Sequence, residues 1–256
     1  MLNHFLEAIG GFVLRRFEEL GRMVLLYMET MRQLFHRPRC RQIIYQMSHL
    51  GVDSLLIVSL TLAFTGVVLT LQTADELIKY GAQSTVGAII SIGIGRELGP
   101  VLVAVVCAGR VGSAITAEIS TMKVTEQIDA LRVMAVSPAD YLIVPRMLAC
   151  MAMVPVLTVF GDVIGVLGGY LIAVYYSGIS SVTFMNSIHT YVDVYDFTGG
   201  LIKAIFFGNI IAVLGCYYGL NSPDGAEGVG KATTHTVVTS IIVIFILNAL
   251  LTFILF

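Results

Sequence analysis

The sequence predicts an all-α membrane protein: an N-terminal amphipathic helix in the membrane interface, five transmembrane helices, and a short cytoplasmic helix between spans two and three. Three observations carry this. Of 256 residues, 57% are hydrophobic and 12% charged, against about 25% charged in a soluble domain. Mean hydropathy is +0.87. The apolar residues gather in five stretches of about 20 or more, the length that crosses a bilayer. A net charge of −2 leaves no basic field of the kind that would point to nucleic acid.

The first element is a helix over 2–24. Leu2, Leu6, Ile9, Val13, Phe17, Leu20 and Val24 recur at spacings of three and four, and Glu7, Arg15, Glu18 and Arg22 fall on another face. Such a helix suits the plane of the membrane interface. Its acids, and the lack of a short apolar core before a small-residue cleavage site, argue against a signal peptide. A basic stretch follows, with Arg32, Arg37, Arg39 and Arg41 around Pro38. Residues 1–48 are the N-terminal interfacial unit and 49–256 the five-span domain.

The spans are 52–72, 84–109, 147–176, 201–220 and 236–256. Orientation follows from Lys and Arg in the connections. Seven precede span one (Arg15, Arg16, Arg22, Arg32, Arg37, Arg39, Arg41), the second connection adds Arg110, Lys123, Arg132 and Arg146, and the fourth adds Lys231. The first and third connections hold only Lys79, with Lys203 at the edge of span four, and carry Asp75, Glu76, Asp193 and Asp196. The N-terminus, 110–146 and 221–235 are therefore expected in the cytoplasm and the C-terminus outside. Each connection is too short to fold as a catalytic or nucleotide-binding domain.

"GAEGVGKATT" (225–234) imitates a phosphate-binding loop, G-x-x-x-x-G-K-[ST], but Ala232 stands where Mg²⁺ needs a hydroxyl. The segment before it is a membrane span, not a buried strand. It reads as a cytoplasmic turn into the last helix, with Thr233 and Thr234 as candidate N-caps. The four cysteines, Cys40, Cys107, Cys150 and Cys216, lack metal-ligand spacing and read as small hydrophobes.

"GIGRELGP" (93–100) is the chemical oddity. Arg96 and Glu97 lie inside an apolar crossing, where each costs roughly 2.5–3.5 kcal/mol facing lipid. Neighbours on a helix point about 100° apart, so a mutual pair is awkward, and Lys203, Asp162 and Asp196 are candidate partners. Pro100 should kink or open the helix, and Gly93, Gly95 and Gly99 permit close approach. The charges either line a substrate path or brace the bundle. In span three, Gly161, Gly165 and Gly169 form a small-residue stripe suited to helix packing, with Asp162 beside it stabilising the bundle.

In 117–138, Thr125 is a candidate cap of a short helix, with Glu126 and Asp129 at its positive end and Arg132 at the other. Ile128, Leu131 and Ala135 make an apolar side, and Ser137-Pro138 is expected to stop it. An acidic, capped start with an apolar stripe fits a groove on another protein.

"GRELGPVLVAVVCAGRVGSAITAEISTMKVTEQIDALRVMAVSP" (95–138) resembles the signature of the MlaE/YrbE permease family of ABC lipid transporters. "PRMLACMAMVPVLT" (145–158), "GGLIKAIFFG" (199–208) and "KATTHTVV" (231–238) extend the resemblance over nearly the whole chain. It implies interfacial N-terminal helices, five spans and a coupling helix, about 118–136. It implies a homodimer in the bacterial inner membrane, N-terminus cytoplasmic and C-terminus periplasmic, working with a separate ABC ATPase that holds ATP and Mg²⁺. This chain would bind no cofactor and no metal. Further implied partners are a periplasmic MCE-domain ring and, in many systems, a small STAS-domain subunit. The implied substrate is phospholipid, moved between inner and outer membranes to maintain outer-membrane asymmetry.

Carried over by motif, Arg96 to Pro100 lie beside a lipid cavity, with Gly99 and Pro100 at the kink. Glu118, Thr125, Glu126, Gln127 and Asp129 lie at the ATPase contact, and Lys203 is the Lys of the L-I-K motif. The resemblance also assigns the outer half of span one, with Leu69, Leu77 and Tyr80, to the lipid pocket. Asn248 stands where some members carry an acid, so no charge pairing transfers there. On residues alone, an ion-coupled secondary transporter using Arg96, Glu97, Asp162 and Lys203, or a non-transporting scaffold, remains open. No internal repeat is visible, which weighs against an inverted-repeat transporter.

Overall fold

The computed structural model describes residues 2–34 and 40–256 and, in the first helix, the side chains of Leu14 and 17–33. The first four apolar positions of the N-terminal stripe, and Arg37, Pro38 and Arg39 of the basic stretch, lie outside the described side chains. The described residues form eight helical units: α1 (Leu2–Leu34), α2 (Cys40–Lys79), α3 (Gln83–Val124), α4 (Gln127–Val133), α5 (Ala139–Tyr175), α6 (Ser181–Tyr191), α7 (Val194–Leu220) and α8 (Ala226–Leu255). Five of them, α2, α3, α5, α7 and α8, are long and apolar enough to cross a membrane. This is a multi-pass all-α membrane protein.

The helices outrun the apolar windows that announced them. α2 starts at Cys40 and passes a 3₁₀ turn at Val52–Ser54 before its apolar run. The expected connection over 110–146 is corrected: α3 continues to Val124, and only the short α4 and its flanks separate it from α5. Packing holds this extension. Ile115 and Ile119 are buried where Gly215 and Gly219 of α7 leave room, a Cβ on either glycine falling 3.1 or 2.8 Å from them. Arg110, expected in the connection, sits in the helix and donates to Ser54 Oγ at 2.7 Å.

α4 is shorter than the 118–136 expected, and its ends are built differently. Thr125 caps nothing: its hydroxyl donates to the Thr121 carbonyl at 2.8 Å and closes α3. The residue before α4 is Glu126, in the left-handed region at φ 58°. The helix stops before Ser137-Pro138 because Ala135, at φ 56°, closes a Schellman turn. Its N–H donates to Arg132 O and that of Val136 to Leu131 O, both at 3.0 Å. Thr233 and Thr234 are likewise not caps. α8 begins at Ala226, and both hydroxyls donate to Gly230 O inside it.

The closest approach of one helix to another's backbone joins α2 and α5. A Cβ on Gly66 would overlap Gly165 O, one on Gly168 would sit 2.6 Å from Ala63 O, and one on Gly169 2.8 Å from Thr70 Oγ1. Gly161 packs on Leu62 and Val103 in the same seam. Small residues bring two membrane helices close enough for backbone contact. α6, which hydropathy does not announce, folds back on the start of α3, where Ser187 Oγ accepts the Ala88 N–H at 2.7 Å. Cys107, Cys150 and Cys216 are buried and Cys40 is exposed.

Candidate functional site: a charge cluster at a break in the second span

α3 is interrupted by a π-turn at Ile94–Leu98, immediately before Gly99 and Pro100. The sequence causes the interruption. Pro100 has no N–H to give the carbonyl four residues back, that of Arg96. Lys203 of α7 supplies the missing donor, its Nζ lying 3.0 Å from Arg96 O. Gly99 faces α5 so closely that a Cβ there would overlap the Asp162 carboxylate, and Gly95 lets the Phe197 ring and Gly200 of α7 approach. Pro100 packs on Gly200.

The wide turn sends two adjacent charges to two partners on one helix. Arg96 Nε and Nη2 both lie 2.6 Å from Asp196 Oδ1. Asp196 is already fixed, because it accepts the Asp193 N–H at 3.0 Å in the capping box that opens α7. Glu97 Oε1 accepts from Lys203 Nζ at 2.7 Å, and Glu97 Oε2 from Asn248 Nδ2 at 2.9 Å. Thr252 Oγ1 lies 2.8 Å from both Lys203 Nζ and Glu97 Oε1. Asp196 and Lys203 are seven residues apart, two turns along one face, which is why one helix serves both.

Lys203 is fully buried (0% exposed), yet its three N–H groups meet three acceptors. Arg96 and Glu97 keep 38% and 35% of their side-chain surface. With two cations and two anions the cluster is neutral. The Phe256 ring lies under both cations, 4.6 Å from Arg96 Cζ and 5.3 Å from Lys203 Nζ, in the range of cation–π attraction. The cluster thus presents one guanidinium and one carboxylate to the outside, while the charges of Asp196 and Lys203 behind them are both paired; only the Asn248 Oδ1 is left buried without a partner among the described residues of the cluster. Such a surface can hold a polar head group without uncompensated charge in the membrane.

Leu69 stands by the start of the π-turn, 3.8 Å from where a Cβ on Gly93 would lie. With Val68, Gln72 and Leu98 it lines an apolar groove of about 380 Å³, next to the π-turn. Leu77 packs against the core and Tyr80 is 81% exposed beyond the end of α2; neither lines that groove. Asp162 joins neither ion pair, and its Oδ1 has no hydrogen-bond partner among the described residues. Asn248 takes part through its amide, as a neutral donor. Thr252 and Phe256 were missed from sequence. The four-residue spacing of Asn248 and Thr252 in an apolar span was a usable signal; nothing local marks Phe256.

The residues assigned to partner contact split. Glu126, Gln127 and Asp129 are exposed at α4, where Asp129 pairs with Arg132 at 3.0 Å. Ile128 is buried beneath them, while Val133 (87% exposed) and Met134 stand out at the far end. Glu118 is in α3, not α4, and its carboxylate pairs at 2.7 Å with the buried Arg146 of α5.

The family model described as "Permease MlaE" matches residues 43–254. A probable ABC transporter permease protein of Synechocystis is 46% identical over 84% of this chain and 82% of its own length. One from Rickettsia typhi is 39% identical over 100% and 99%. The Haemophilus influenzae protein named intermembrane phospholipid transport system permease protein MlaE is 38% identical over 100% and 99%.

Proposed function

The chain belongs to the MlaE permease family and is an ABC transporter permease, and from that premise we propose that it moves phospholipid between the inner and outer membranes. It works as a homodimer in the bacterial inner membrane, N-terminus cytoplasmic and C-terminus periplasmic, and so maintains outer-membrane lipid asymmetry. A separate ABC ATPase binds ATP and Mg²⁺ and supplies the energy; this chain hydrolyses nothing. A periplasmic MCE-domain subunit takes or delivers the lipid, and a STAS-domain subunit attends the ATPase.

The observation that carries this proposal is the neutral four-charge cluster at the π-turn, half open beside an apolar groove. A head group finds Arg96 and Glu97 there, and an acyl chain finds Leu69 and Leu98. α4 supports the energy coupling. It is short, seated by Ile128, and offers Glu126, Asp129, Val133 and Met134 to a partner. A push there tilts α3 and α5 together, because Glu118 and Arg146 tie their ends, and so reshapes the π-turn site.

The test is transport of labelled phospholipid between vesicles by the chain reconstituted with its co-purifying ATPase. Arg96→Gln is expected to slow ATP-dependent transfer at least tenfold while the complex still assembles. Glu126→Lys with Asp129→Lys is expected to abolish lipid-stimulated ATP hydrolysis. Transport driven by an ion gradient without an ATPase would overturn the proposal.

A further inference from the structure

A second set of cavities lies far from the charge cluster, where α2 enters the membrane. A cavity of about 360 Å³ is walled by Arg41, Gln42, Tyr45, Glu118, Tyr141 and Arg146, among others. A second, of about 250 Å³, shares Tyr45, Gln46 and Glu118 with it and continues past Leu50, Ala114 and Ile115. Along α2 and α3 these last residues lie a turn or more deeper in the spans than Arg41 and Met122. The first chamber therefore lies at the helix ends and the second toward the bilayer, where His49 stands on its wall beside the apolar Leu50, Ala114 and Ile115.

Two polar atoms on the wall of the first chamber are buried without a hydrogen-bond partner among the described residues: Gln42 Oε1 and Arg146 Nε. Arg146 is 4% exposed. Its Nη1 donates to Leu142 O at 2.8 Å and its Nη2 pairs with Glu118, so Nε alone is left over. Both residues line the cavity, and a buried N–H and a buried carbonyl without partners each cost free energy. Among the described residues of its wall, two arginines against one glutamate leave a charge of +1. A group that satisfies it carries one negative charge, accepts from Arg146 Nε, and donates to Gln42 Oε1.

We propose that these joined chambers are a binding site for an anionic phospholipid, separate from the charge cluster. The phosphate sits between Arg41 and Arg146, a head-group hydroxyl donates to Gln42, and an acyl chain runs past Leu50, Ala114 and Ile115. Basic pockets between membrane helices at the interface select anionic head groups in this way. A lipid there would clamp α2, α3 and α5 at their shared end. The site stands on its own cavity and its orphaned atoms, so it does not depend on the transport proposal.

The full chain, with the subunits that co-purify, is reconstituted in phosphatidylcholine nanodiscs doped with phosphatidylglycerol or phosphatidylethanolamine. It is then delipidated stepwise and weighed by native mass spectrometry. One phosphatidylglycerol per chain is expected to persist, retained at least tenfold over the zwitterionic lipids. Arg41→Gln and Ala114→Phe are each expected to cut that retention tenfold, with unfolding temperature and elution volume checked to exclude misfolding. Arg96→Gln is expected to leave it unchanged. Equal retention of phosphatidylcholine, no retained lipid, or retention indifferent to both Arg41→Gln and Ala114→Phe would overturn the site. So would loss in Arg96→Gln alone, which assigns the lipid to the charge cluster. Displacement by soluble glycerophosphoglycerol as readily as by lipid would remove the acyl chamber.

Discussion

Lys203 shows how a full charge survives inside a membrane crossing. Its ammonium meets a carbonyl, a carboxylate and a hydroxyl, and the carbonyl is the one Pro100 leaves without its usual donor. Lys203→Met should therefore do more harm than a lost surface charge: it orphans Arg96 O and strands Glu97. A loss of about 3 kcal/mol is expected, the lower end of the range for breaking a buried pair, because Glu97 keeps 35% of its surface. Thermal unfolding in detergent measures it, and Glu97→Gln added to Lys203→Met should recover most of the loss. Asn248→Asp tests the other side. It replaces a donor 2.9 Å from Glu97 Oε2 with a second carboxylate. The variant is expected to unfold at a lower temperature than the parent chain in detergent, because two carboxylates then face each other with one ammonium between them.

The helices carry their own lessons. The seam between α2 and α5 depends on an absent side chain, since any Cβ at Gly66 meets Gly165 O. Gly66→Leu is expected to abolish accumulation of folded protein, whereas Gly21→Ala, with open space around it, should be neutral or stabilising by up to about 1 kcal/mol. Expression and gel filtration distinguish the two. Ala135 closes α4 in a conformation that suits glycine. Ala135→Gly should raise the unfolding temperature, with about 1 kcal/mol of strain relieved. Five spans were legible because twenty apolar residues in water have few alternatives. Helix ends were less legible: α3 reaches Val124 because Gly215 and Gly219 receive Ile115 and Ile119, a tertiary cause. α6 escaped notice because its mixed composition matches a loop, and only its seat on Gly87 and Ala88 makes it a helix.

At the scale of the molecule, two groups of charge sort to opposite ends. The chain's basic connections and α4 share one end, while the cluster of Arg96, Asp196, Glu97 and Lys203 lies toward the other. An ATPase-driven cycle would have to carry its push along α3 and α5. Cutting the tie between them by Glu118→Gln is expected to lower lipid transfer per ATP hydrolysed at least threefold, with hydrolysis itself little changed; transport and phosphate release measured together give the ratio. What the amino-acid sequence determined alone was the class, the number of crossings, the family and the presence of charges that lipid would not tolerate. These follow from composition and local order, because transfer into a bilayer is paid residue by residue. Which charge meets which, that Asn248 serves Glu97 as a neutral donor, that Glu118 belongs to Arg146, and that Leu69 but not Tyr80 borders the groove were decided by tertiary structure. Those outcomes depend on where five helices come to rest against each other, and backbone contacts across glycine seams set that.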